Sequence, residues 1–286
     1  MISSPEPFEI EGADGGPLRG DLYASATNEP RAVLLCHGFR GYKDWGFIPL
    51  LASTIASQDT PVAAFNMSGS GVATPDGAFT ERERFRKNTY AAELDDIDRV
   101  ARWLRQRLDA SGPGFGLGLI GHSRGGAMAL LYAASHPEVR TVVSLAAPSR
   151  IGVWPEVAFE AWRDHRPHVV RDFRTRAELP LGPEIYGDIE RNGARYDLRR
   201  AAASLAVPYL VVQGDRDRSV PLEEGQTLAS WGPSGTTELA IIKGAGHSFQ
   251  AGDKIRRTPP QLLEMIERVS AWVRRTMKPD AREARP

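Results

Sequence analysis

The chain has 286 residues, 41% of them apolar, which fits one large α/β domain with an insertion better than two independent domains. Its 36 basic and 36 acidic residues give a formal net charge of zero, so the charge balance gives no sign of a nucleic-acid partner. Its single cysteine, Cys36, excludes an intramolecular disulfide and a cysteine-rich metal site.

The first segments predict the edge of a sheet. Residues 8–11 and 18–23 alternate apolar and polar side chains around the turn-forming Asp14-Gly15-Gly16, a pattern typical of an antiparallel hairpin. Residues 32–36 form a continuous apolar run, as expected of a strand that is buried on both faces of a parallel sheet.

Helical and extended patterns then alternate along the chain. In order, they predict a helix at 47–57, a strand at 61–66, an amphipathic helix at 89–108, a strand ending at Gly121, a helix at 127–134 and a strand at 141–146. Such alternation predicts a doubly wound, mostly parallel sheet.

The alternation stops after Pro148, and no buried strand is predicted from about residue 150 to residue 203. Helical spacing predicts a helix at 154–162 and a second, short helix at 184–192, with a kinked connector at 179–183 between them. Because an insertion above the C-terminal edge of a parallel sheet is placed to cover a site there, we predict that this segment is a lid.

Strand patterns resume at 207–212 and 239–242, and residues 260–276 have the spacing of an amphipathic terminal helix. Residues 278–286 are charged and contain two prolines, which is typical of a flexible tail. The predicted organisation is a core of residues 1–149 and 204–277, a lid of residues 150–203 and a tail of residues 278–286.

The motif G-x-S-x-G occurs at Gly121-His122-Ser123-Arg124-Gly125, between an apolar run and a helical pattern. This strand–turn–helix context is that of a nucleophile elbow. A serine at such a turn needs a strained backbone, and the flanking glycines remove side chains that would clash. The helix that follows points backbone N–H groups at the place where an oxyanion would develop.

A serine hydroxyl becomes a nucleophile only when a base accepts its proton, and an acid must hold that base in the right tautomer. Asp215 and Asp217 follow the strand at 207–212, and His247 follows the strand at 239–242. The order is therefore Ser…Asp…His, with all three at one edge of the sheet. Either aspartate fits the role of the acid, and the alternative role of Asp215 is to stabilise its turn.

The chain resembles the α/β-hydrolase superfamily over nearly its whole length, and more narrowly the serine esterases of the cinnamoyl/feruloyl esterase and dienelactone-hydrolase-like groups. The motifs that carry the resemblance are His37-Gly38-Phe39-x-Gly41, Asn66-Met67-Ser68-Gly69-Ser70-Gly71 and Gly121-His122-Ser123-Arg124-Gly125-Gly126. The resemblance implies a mostly parallel sheet of about eight strands, with a lid inserted after the sixth strand. A true dienelactone hydrolase uses a cysteine nucleophile, so Ser123 argues against that activity.

The resemblance also assigns roles to individual residues. It implies that Ser123 is the nucleophile, His247 the base and Asp217 the acid. It further implies that Phe39 and Arg124 donate their backbone N–H groups to the oxyanion. For His37, in the oxyanion loop, an orienting role is expected.

Several side chains of the predicted lid have two possible roles. The aromatic residues Trp154, Trp162 and Tyr186 either line an acyl or aryl pocket or anchor the lid to the core. The arginines at 163, 166, 171, 174 and 176 are most simply a solvated helix face, and alternatively a cationic rim that attracts carboxylate-bearing substrates.

We therefore predict a serine carboxylesterase that acts on a small-molecule ester without a cofactor, as a monomer or homodimer. No histidine pair and carboxylate have metal-ligand spacing, so no metal site is predicted. No apolar run approaches the ~20 residues of a membrane helix and no signal-peptide pattern occurs, so we expect a cytoplasmic protein without a membrane partner. The alternatives are a peptidase, thioesterase or acyltransferase with the same triad, or a non-catalytic binding protein with this fold.

Overall fold

The computed structural model describes residues 4–26, 30–108, 115–253, 255 and 257–277, so the predicted tail lies outside the described residues. The strands are β1 (Glu6–Glu11), β2 (Pro17–Tyr23), β3 (Arg31–Cys36), β4 (Val62–Phe65), β5 (Gly116–His122), β6 (Val139–Leu145), β7 (His168–Arg171), β8 (Glu178–Leu181), β9 (Tyr209–Gly214) and β10 (Thr237–Ile242). The α-helices are α1 (Ile48–Ala56), α2 (Arg82–Arg86), α3 (Tyr90–Arg107), α4 (Arg124–Ala133), α5 (Glu156–Arg163), α6 (Glu184–Asn192), α7 (Leu198–Ala203), α8 (Leu222–Trp231) and α9 (Pro260–Thr276).

Eight of these strands form one sheet in the order β1-β2-β4-β3-β5-β6-β9-β10. Strand β2 runs antiparallel to both of its neighbours, and the other pairs in the sheet are parallel. This is the predicted α/β-hydrolase arrangement, including the N-terminal hairpin at the edge. Cys36 is paired with Gly121, and Gly121 with Ser144, so three central strands end level with one another.

The central strands are apolar throughout because helices cover both faces of the sheet. Alternate residues of a strand point to opposite faces. In β3, Leu34 packs in a cluster with residues of α3 and α4, whereas Leu35 packs in a second cluster with residues of α1 and α9. This two-sided burial explains why the apolar runs in the sequence are continuous rather than alternating.

The predicted helices are confirmed, and capping accounts for some of their boundaries. The hydroxyl of Thr89 accepts a hydrogen bond of 3.1 Å from the backbone N–H of Ala92 at the start of α3. Pro260 is the first residue of α9, where its missing N–H costs nothing. Sequence patterns do not predict α2, α7 or α8: α2 and α7 have five and six residues, too few for a period, and α8 contains Gly225.

The segment between β6 and β9, here called the insertion (residues 150–203), contains both predicted helices as α5 and α6. The predicted connector at 179–183 is wrong, because strands β7 and β8 pair there as an antiparallel hairpin. Leu179 and Leu181 of β8 are fully buried, which also contradicts the expectation that the insertion has no buried strand. Four-residue strands interrupted by Pro180 show too little alternation to be recognised, and a proline is tolerated in such an edge strand.

Candidate active site

Ser123 lies on a sharp turn between β5 and α4, with φ = 53° and ψ = −126°. A non-glycine residue in such a conformation carries strain of about 1–3 kcal/mol, and the surrounding structure must hold it in place. Here the N–H of Ser123 donates to the carbonyl of Leu145 at 2.7 Å, and the carbonyl of Ser123 accepts from the N–H of Gly126 at 2.9 Å. The serine is therefore lifted above the sheet edge by a backbone that is bonded on both sides.

The glycines beside Ser123 are required by close backbone approaches, as the sequence predicts. A Cβ atom at Gly121 would lie 2.2 Å from the carbonyl oxygen of Gly125. A Cβ atom at Gly125 would lie 2.3 Å from the carbonyl oxygen of His37. Any side chain at either position would push apart the strand, the helix and the loop that meet at the turn.

Asp217 and His247, which follow β9 and β10, are hydrogen-bonded to each other. The Nδ1–H of His247 donates to Oδ2 of Asp217 at 2.8 Å, and the aspartate side chain is fully buried. The other carboxylate oxygen, Oδ1, accepts from the backbone N–H groups of Ser219 and Val220 at 2.8 and 2.9 Å. This pairing fixes the proton of His247 on Nδ1 and leaves Nε2 free to accept one.

The pKa of Asp217 reflects two opposed effects. Burial alone raises the pKa of this carboxyl, but the bond and charge of His247, with the N–H groups of Val220 and Ser219, lower it below its usual value. The Asp217 side chain therefore stays ionised, as its predicted role of triad acid requires.

Asp215 has a different partner. It is exposed, and its Oδ1 accepts a hydrogen bond of 2.6 Å from the backbone N–H of Gly244. The bond joins the loop after β9 to the loop after β10. Asp215 thus has a structural contact, in line with its alternative role of stabilising a turn. Of the two candidate acids, Asp217 is the one that contacts His247.

His122 is a site residue that the sequence patterns miss. Its side chain is buried, and its Nε2–H donates to the backbone carbonyl of His247 at 2.9 Å. Its ring stacks on Trp45 at 5.4 Å and meets the edge of Phe47 at 5.2 Å. His122, next to the predicted nucleophile, thus holds the loop that carries the predicted base. The motif around Ser123 does not indicate this contact, because it depends on residues that are distant in the sequence.

His37 holds the loop after β3. Its Nδ1–H donates to the carbonyl of Gly38 at 2.8 Å, and its Nε2 accepts from the N–H of Met67 at 3.0 Å. Burial lowers the pKa of His37 to about 4 and that of His122 to about 3. Both rings are therefore neutral near pH 7, and His37 has contacts that suit the orienting role expected of it.

The two predicted oxyanion donors lie beside Ser123. Phe39 is in a turn closed by a 2.9 Å hydrogen bond from the N–H of Gly41 to the carbonyl of Gly38. A Cβ atom at Gly38 would lie 3.0 Å from Cβ of Ser123, so this turn abuts the nucleophile elbow. Arg124 is the first residue of α4. Among the described residues, the backbone N–H groups of Phe39 and Arg124 have no acceptor.

The side chain of Arg124 is engaged elsewhere. Its Nη2 lies 2.7 Å from Oε1 of Glu93, and only 11% of the arginine side chain and 3% of the glutamate side chain are exposed. The guanidinium carbon lies 4.1 Å from the centre of the Phe39 ring, a cation–π geometry. The guanidinium thus supports the Phe39 ring, which leaves the backbone N–H as the group that Arg124 can offer to a substrate.

The three aromatic residues proposed for substrate binding form a connected row, in which Trp162 lies 5.4 Å from Trp154 and 6.4 Å from Tyr186 between ring centres. Trp154 meets the Phe39 ring edge-on at 5.6 Å and donates its Nε1–H to the hydroxyl of Tyr90 at 3.2 Å. Trp162 is 1% exposed and donates to the carbonyl of Leu181 at 2.9 Å, so its burial favours the anchoring alternative. Tyr186 lines a cavity of about 710 Å³ at the surface of the insertion.

The arginine run in the insertion is not a single helix face. Of the five residues, only Arg163 lies in α5, and Arg171 lies in β7. Four of them are exposed, but Arg174 is half-buried and lies with its guanidinium 4.7 Å from the centre of the Tyr42 ring. The prediction of one solvated helix is therefore wrong, because the helix ends at Arg163 and a hairpin follows.

In the part of the chain that the structure describes, no three His, Cys, Asp or Glu side chains are grouped so that they could hold a metal ion. Nor does any described helix have the length and apolarity needed to cross a membrane.

The buried histidines predict how acid affects stability. Between about pH 6.5 and 4 the unfolded chain binds protons on His37 and His122 that the folded chain does not, so stability falls as the pH falls. Burial raises the pKa of Asp96 to about 6, so over most of this range the folded chain binds a proton on Asp96 that the unfolded chain does not. This proton offsets one of the two histidine protons. We expect the free energy of unfolding to fall by about 1.4 kcal/mol per pH unit over this range, measured by urea unfolding.

The variant His122→Gln isolates the contribution of one ring. Its amide reaches a similar position without titrating, so the unfolding free energy of the variant should be nearly independent of pH between 6 and 4.5. Equal pH slopes for the variant and the wild-type protein would contradict the assignment of a neutral, buried His122.

Comparison with known sequences adds a family assignment. A sequence model described as alpha/beta hydrolase fold matches residues 31–181. The pimeloyl-acyl-carrier protein methyl ester esterase of Xylella fastidiosa (strain M12) is 29% identical over an alignment of 160 residues, and the match covers 45% of this chain and 63% of the relative. The protein of the same description from Xanthomonas oryzae pv. oryzae (strain MAFF 311018) is 29% identical over an alignment of 185 residues, and the match covers 54% of this chain and 70% of the relative.

Solved structures match over nearly the full length. A complex of DcsB with its substrate analogue has a TM-score of 0.70 and 18% identity, and it covers 96% of this chain and 100% of that one. Est1E from Butyrivibrio proteoclasticus has a TM-score of 0.64 and 18% identity, covering 96% and 99%. At these identities the likeness shows the fold.

Proposed function

The chain belongs to the alpha/beta hydrolase family, and from that premise we propose that it is a serine hydrolase of carboxylic esters. The observation that carries the proposal is the 2.8 Å bond between His247 and Asp217, together with the 2.9 Å bond that joins the carbonyl of His247 to His122, next to the strained Ser123. The esterase names of the similar sequences support the same reaction class. The match covers only 63% of the first relative's length, so the substrate of that relative is not assigned to this chain.

In the proposed reaction, Oγ of Ser123 attacks the ester carbonyl while Nε2 of His247 takes the hydroxyl proton. The N–H groups of Phe39 and Arg124 hold the oxyanion that forms. Protonated His247, stabilised by the Asp217 carboxylate, then gives its proton to the leaving alkoxide. Water, deprotonated by the same histidine, attacks the acyl-enzyme, and His247 returns the proton to Oγ of Ser123 as the acid leaves. No cofactor takes part.

The insertion is proposed to act as a lid that shapes the acyl pocket. Trp154 is the residue of the insertion that supports this most directly, because its ring lies against Phe39, beside the proposed oxyanion site. Together, Trp154 and Phe39 offer an aromatic surface to an acyl group, which suits an apolar or aryl acid. Four of the five residues in the arginine run of the insertion are exposed, so salt screens their charge. A cationic rim would therefore attract carboxylate-bearing substrates only weakly.

An ester panel tests the proposed reaction class. p-Nitrophenyl esters of increasing acyl length, methyl hydroxycinnamates and matched p-nitroanilides should be compared by kcat/KM. We expect ester turnover, with aryl and medium-chain acids favoured over acetate and the anilides not cleaved. Folded protein that cleaves the anilides but no oxygen ester would contradict the proposed function.

Two variants read the acyl pocket in the same panel. Trp154→Ala removes the ring that contacts Phe39, so the preference for aryl over acetyl esters should fall about tenfold, the effect of losing a pocket contact of 1–2 kcal/mol. Trp103→Ala is the matched control, because this tryptophan stacks on Phe8 of the edge strand β1, away from the candidate active site, and its loss should leave the preference unchanged.

A further inference from the structure

The turn that presents the Phe39 N–H contains a strained residue. Arg40 has φ = 59°, a conformation that L side chains rarely adopt and that glycine adopts freely. It occupies the third position of the turn closed by Gly38 and Gly41, where a type II turn normally needs glycine. A non-glycine residue persists in this conformation only when its surroundings hold it there.

The guanidinium of Arg40 lies 5.4 Å from the centre of the neighbouring Phe39 ring, and it also contacts the insertion. Its Nη1 donates to the backbone carbonyl of Arg171, at the end of β7. Its guanidinium carbon lies 5.5 Å from the centre of the Phe173 ring and also faces the carboxylate of Asp172, whose charge acts on it. Because the β7–β8 hairpin holds the guanidinium, the side chain of Arg40 restricts the backbone conformation of the same residue.

The hairpin docks at a second point through an arginine of its own. Arg174 donates from Nη2 to the carbonyl of Gly77 at 3.1 Å, and its guanidinium lies over the rings of Tyr42 and Phe79. Buried Asp172 shapes the hairpin turn by accepting 2.8 Å hydrogen bonds from both the N–H and the hydroxyl of Thr175. Arg40 reaches from core to insertion and Arg174 reaches from insertion to core, so the hairpin is held against the oxyanion loop from both sides.

We propose that Arg40 is a positioning residue that couples docking of the β7–β8 hairpin to the geometry of the oxyanion site. The inference rests on the proposed function, in which the Phe39 N–H stabilises the oxyanion. With the hairpin docked, the Arg40 side chain holds its own backbone at positive φ, and the Phe39 peptide faces Ser123. When that anchor is lost, the turn relaxes toward negative φ and the adjoining peptides rotate, so the donor moves out of line.

The chemical consequence is that one oxyanion donor is in place only while the insertion is docked on the core. Catalytic groups that are completed by closure commit the substrate and limit reaction with bulk water. The coupling acts on transition-state stabilisation and not on substrate binding, because the oxyanion exists only after attack. A defect in Arg40 should therefore appear in kcat and leave KM nearly unchanged.

Two substitutions at position 40 separate the anchor from the strain. Arg40→Ala removes the anchor but keeps a Cβ atom that opposes positive φ, so kcat should fall about 10- to 100-fold. Arg40→Gly also removes the anchor but adopts positive φ without strain, so kcat should stay within about threefold of wild type. Arg200→Ala is the matched control, because that exposed arginine lies outside the arginine run and donates to the backbone carbonyl of Ala194 within the insertion.

Hydrogen exchange supplies a readout that does not depend on turnover. Exchange of the peptide spanning residues 38–42 should rise in Arg40→Ala and not in Arg40→Gly, whereas exchange of the hairpin should rise in both. The coupling is overturned if both variants lose kcat equally, if Arg40→Ala keeps the wild-type kcat, or if the exchange of residues 38–42 is unchanged in Arg40→Ala. A wild-type protein that hydrolyses no ester would instead contradict the proposed function, and the exchange data would still decide the coupling.

Discussion

The Ser123→Ala protein should hydrolyse p-nitrophenyl esters with a kcat about 10⁵- to 10⁶-fold below that of the wild type. The reason is that no other hydroxyl occupies the strained elbow, so His247 has no nucleophile to activate. Alanine removes one oxygen atom without adding bulk, and the thermal midpoint should therefore stay within a few degrees of wild type. Initial rates at pH 8, with circular dichroism to confirm the fold, measure both effects.

A nearby serine provides the control for this substitution. Ser248 is adjacent to His247, but its hydroxyl donates to the carbonyl of Ala251 at 3.1 Å and has no place in the proposed reaction. Ser248→Ala should keep kcat within about threefold of wild type, as expected for the loss of one partly exposed hydrogen bond. If Ser123→Ala retained more than a hundredth of the wild-type rate, Ser123 would not be the nucleophile.

The second large effect is expected at the acid. Asp217→Asn should lower kcat about 10⁴-fold near pH 7, the cost of stabilising the wrong tautomer of a triad histidine. An asparagine amide donates to Nδ1 of His247, which moves the ring proton to Nε2 and blocks acceptance of the serine proton. The variant should recover part of its activity at high pH, and a pH–rate profile between 6 and 10 measures this.

Asp215→Asn is a stringent control, because it makes the same chemical change two residues away. The asparagine carbonyl can still accept the N–H of Gly244, so both the loop contact and kcat should survive within about threefold. If instead Asp215→Asn lost activity and Asp217→Asn kept it, the acid would have to be reassigned to Asp215.

Much of the site is predictable from sequence because strand ends in a parallel sheet share an edge. Ser123, Asp217 and His247 each follow an apolar run, and the order of those runs along the chain is enough to bring the three loops together. The glycines around Ser123 are predictable for a similar reason, since a tight turn between a strand and a helix leaves no room for a Cβ atom.

The contacts that support the site are not predictable in this way. The bond from His122 to the carbonyl of His247 joins positions 125 residues apart, and nothing in the local pattern indicates it. The Arg124–Glu93 pair under Phe39 joins an elbow residue to a residue of α3 whose charge suggests a solvated helix surface. Short strands such as β7 and β8 are stabilised by packing against the core, so their sequences carry little periodic signal.

Strained backbone conformations are concentrated at the edge of the sheet where the candidate active site lies. Five of the eight non-glycine residues with positive φ in the described chain follow β3, β5, β6 or β10, at Arg40, Ser123, Ala146, Phe249 and Gln250. Such conformations are costly and concentrate where function requires them. That two of them border the proposed oxyanion site, one in the elbow and one in the turn held by the insertion, links the chemistry to the docking of the insertion.

Covalent labelling with a fluorophosphonate tests whether Ser123 is an activated nucleophile, because only an activated serine displaces the fluoride. We expect one phosphonyl adduct per folded chain, located by peptide mass spectrometry on Ser123, absent in Ser123→Ala and formed much more slowly in Asp217→Asn. Folded wild-type protein that takes up no label, or that takes it up on another residue while Ser123 stays unmodified, would contradict the assignment of Ser123 as the nucleophile.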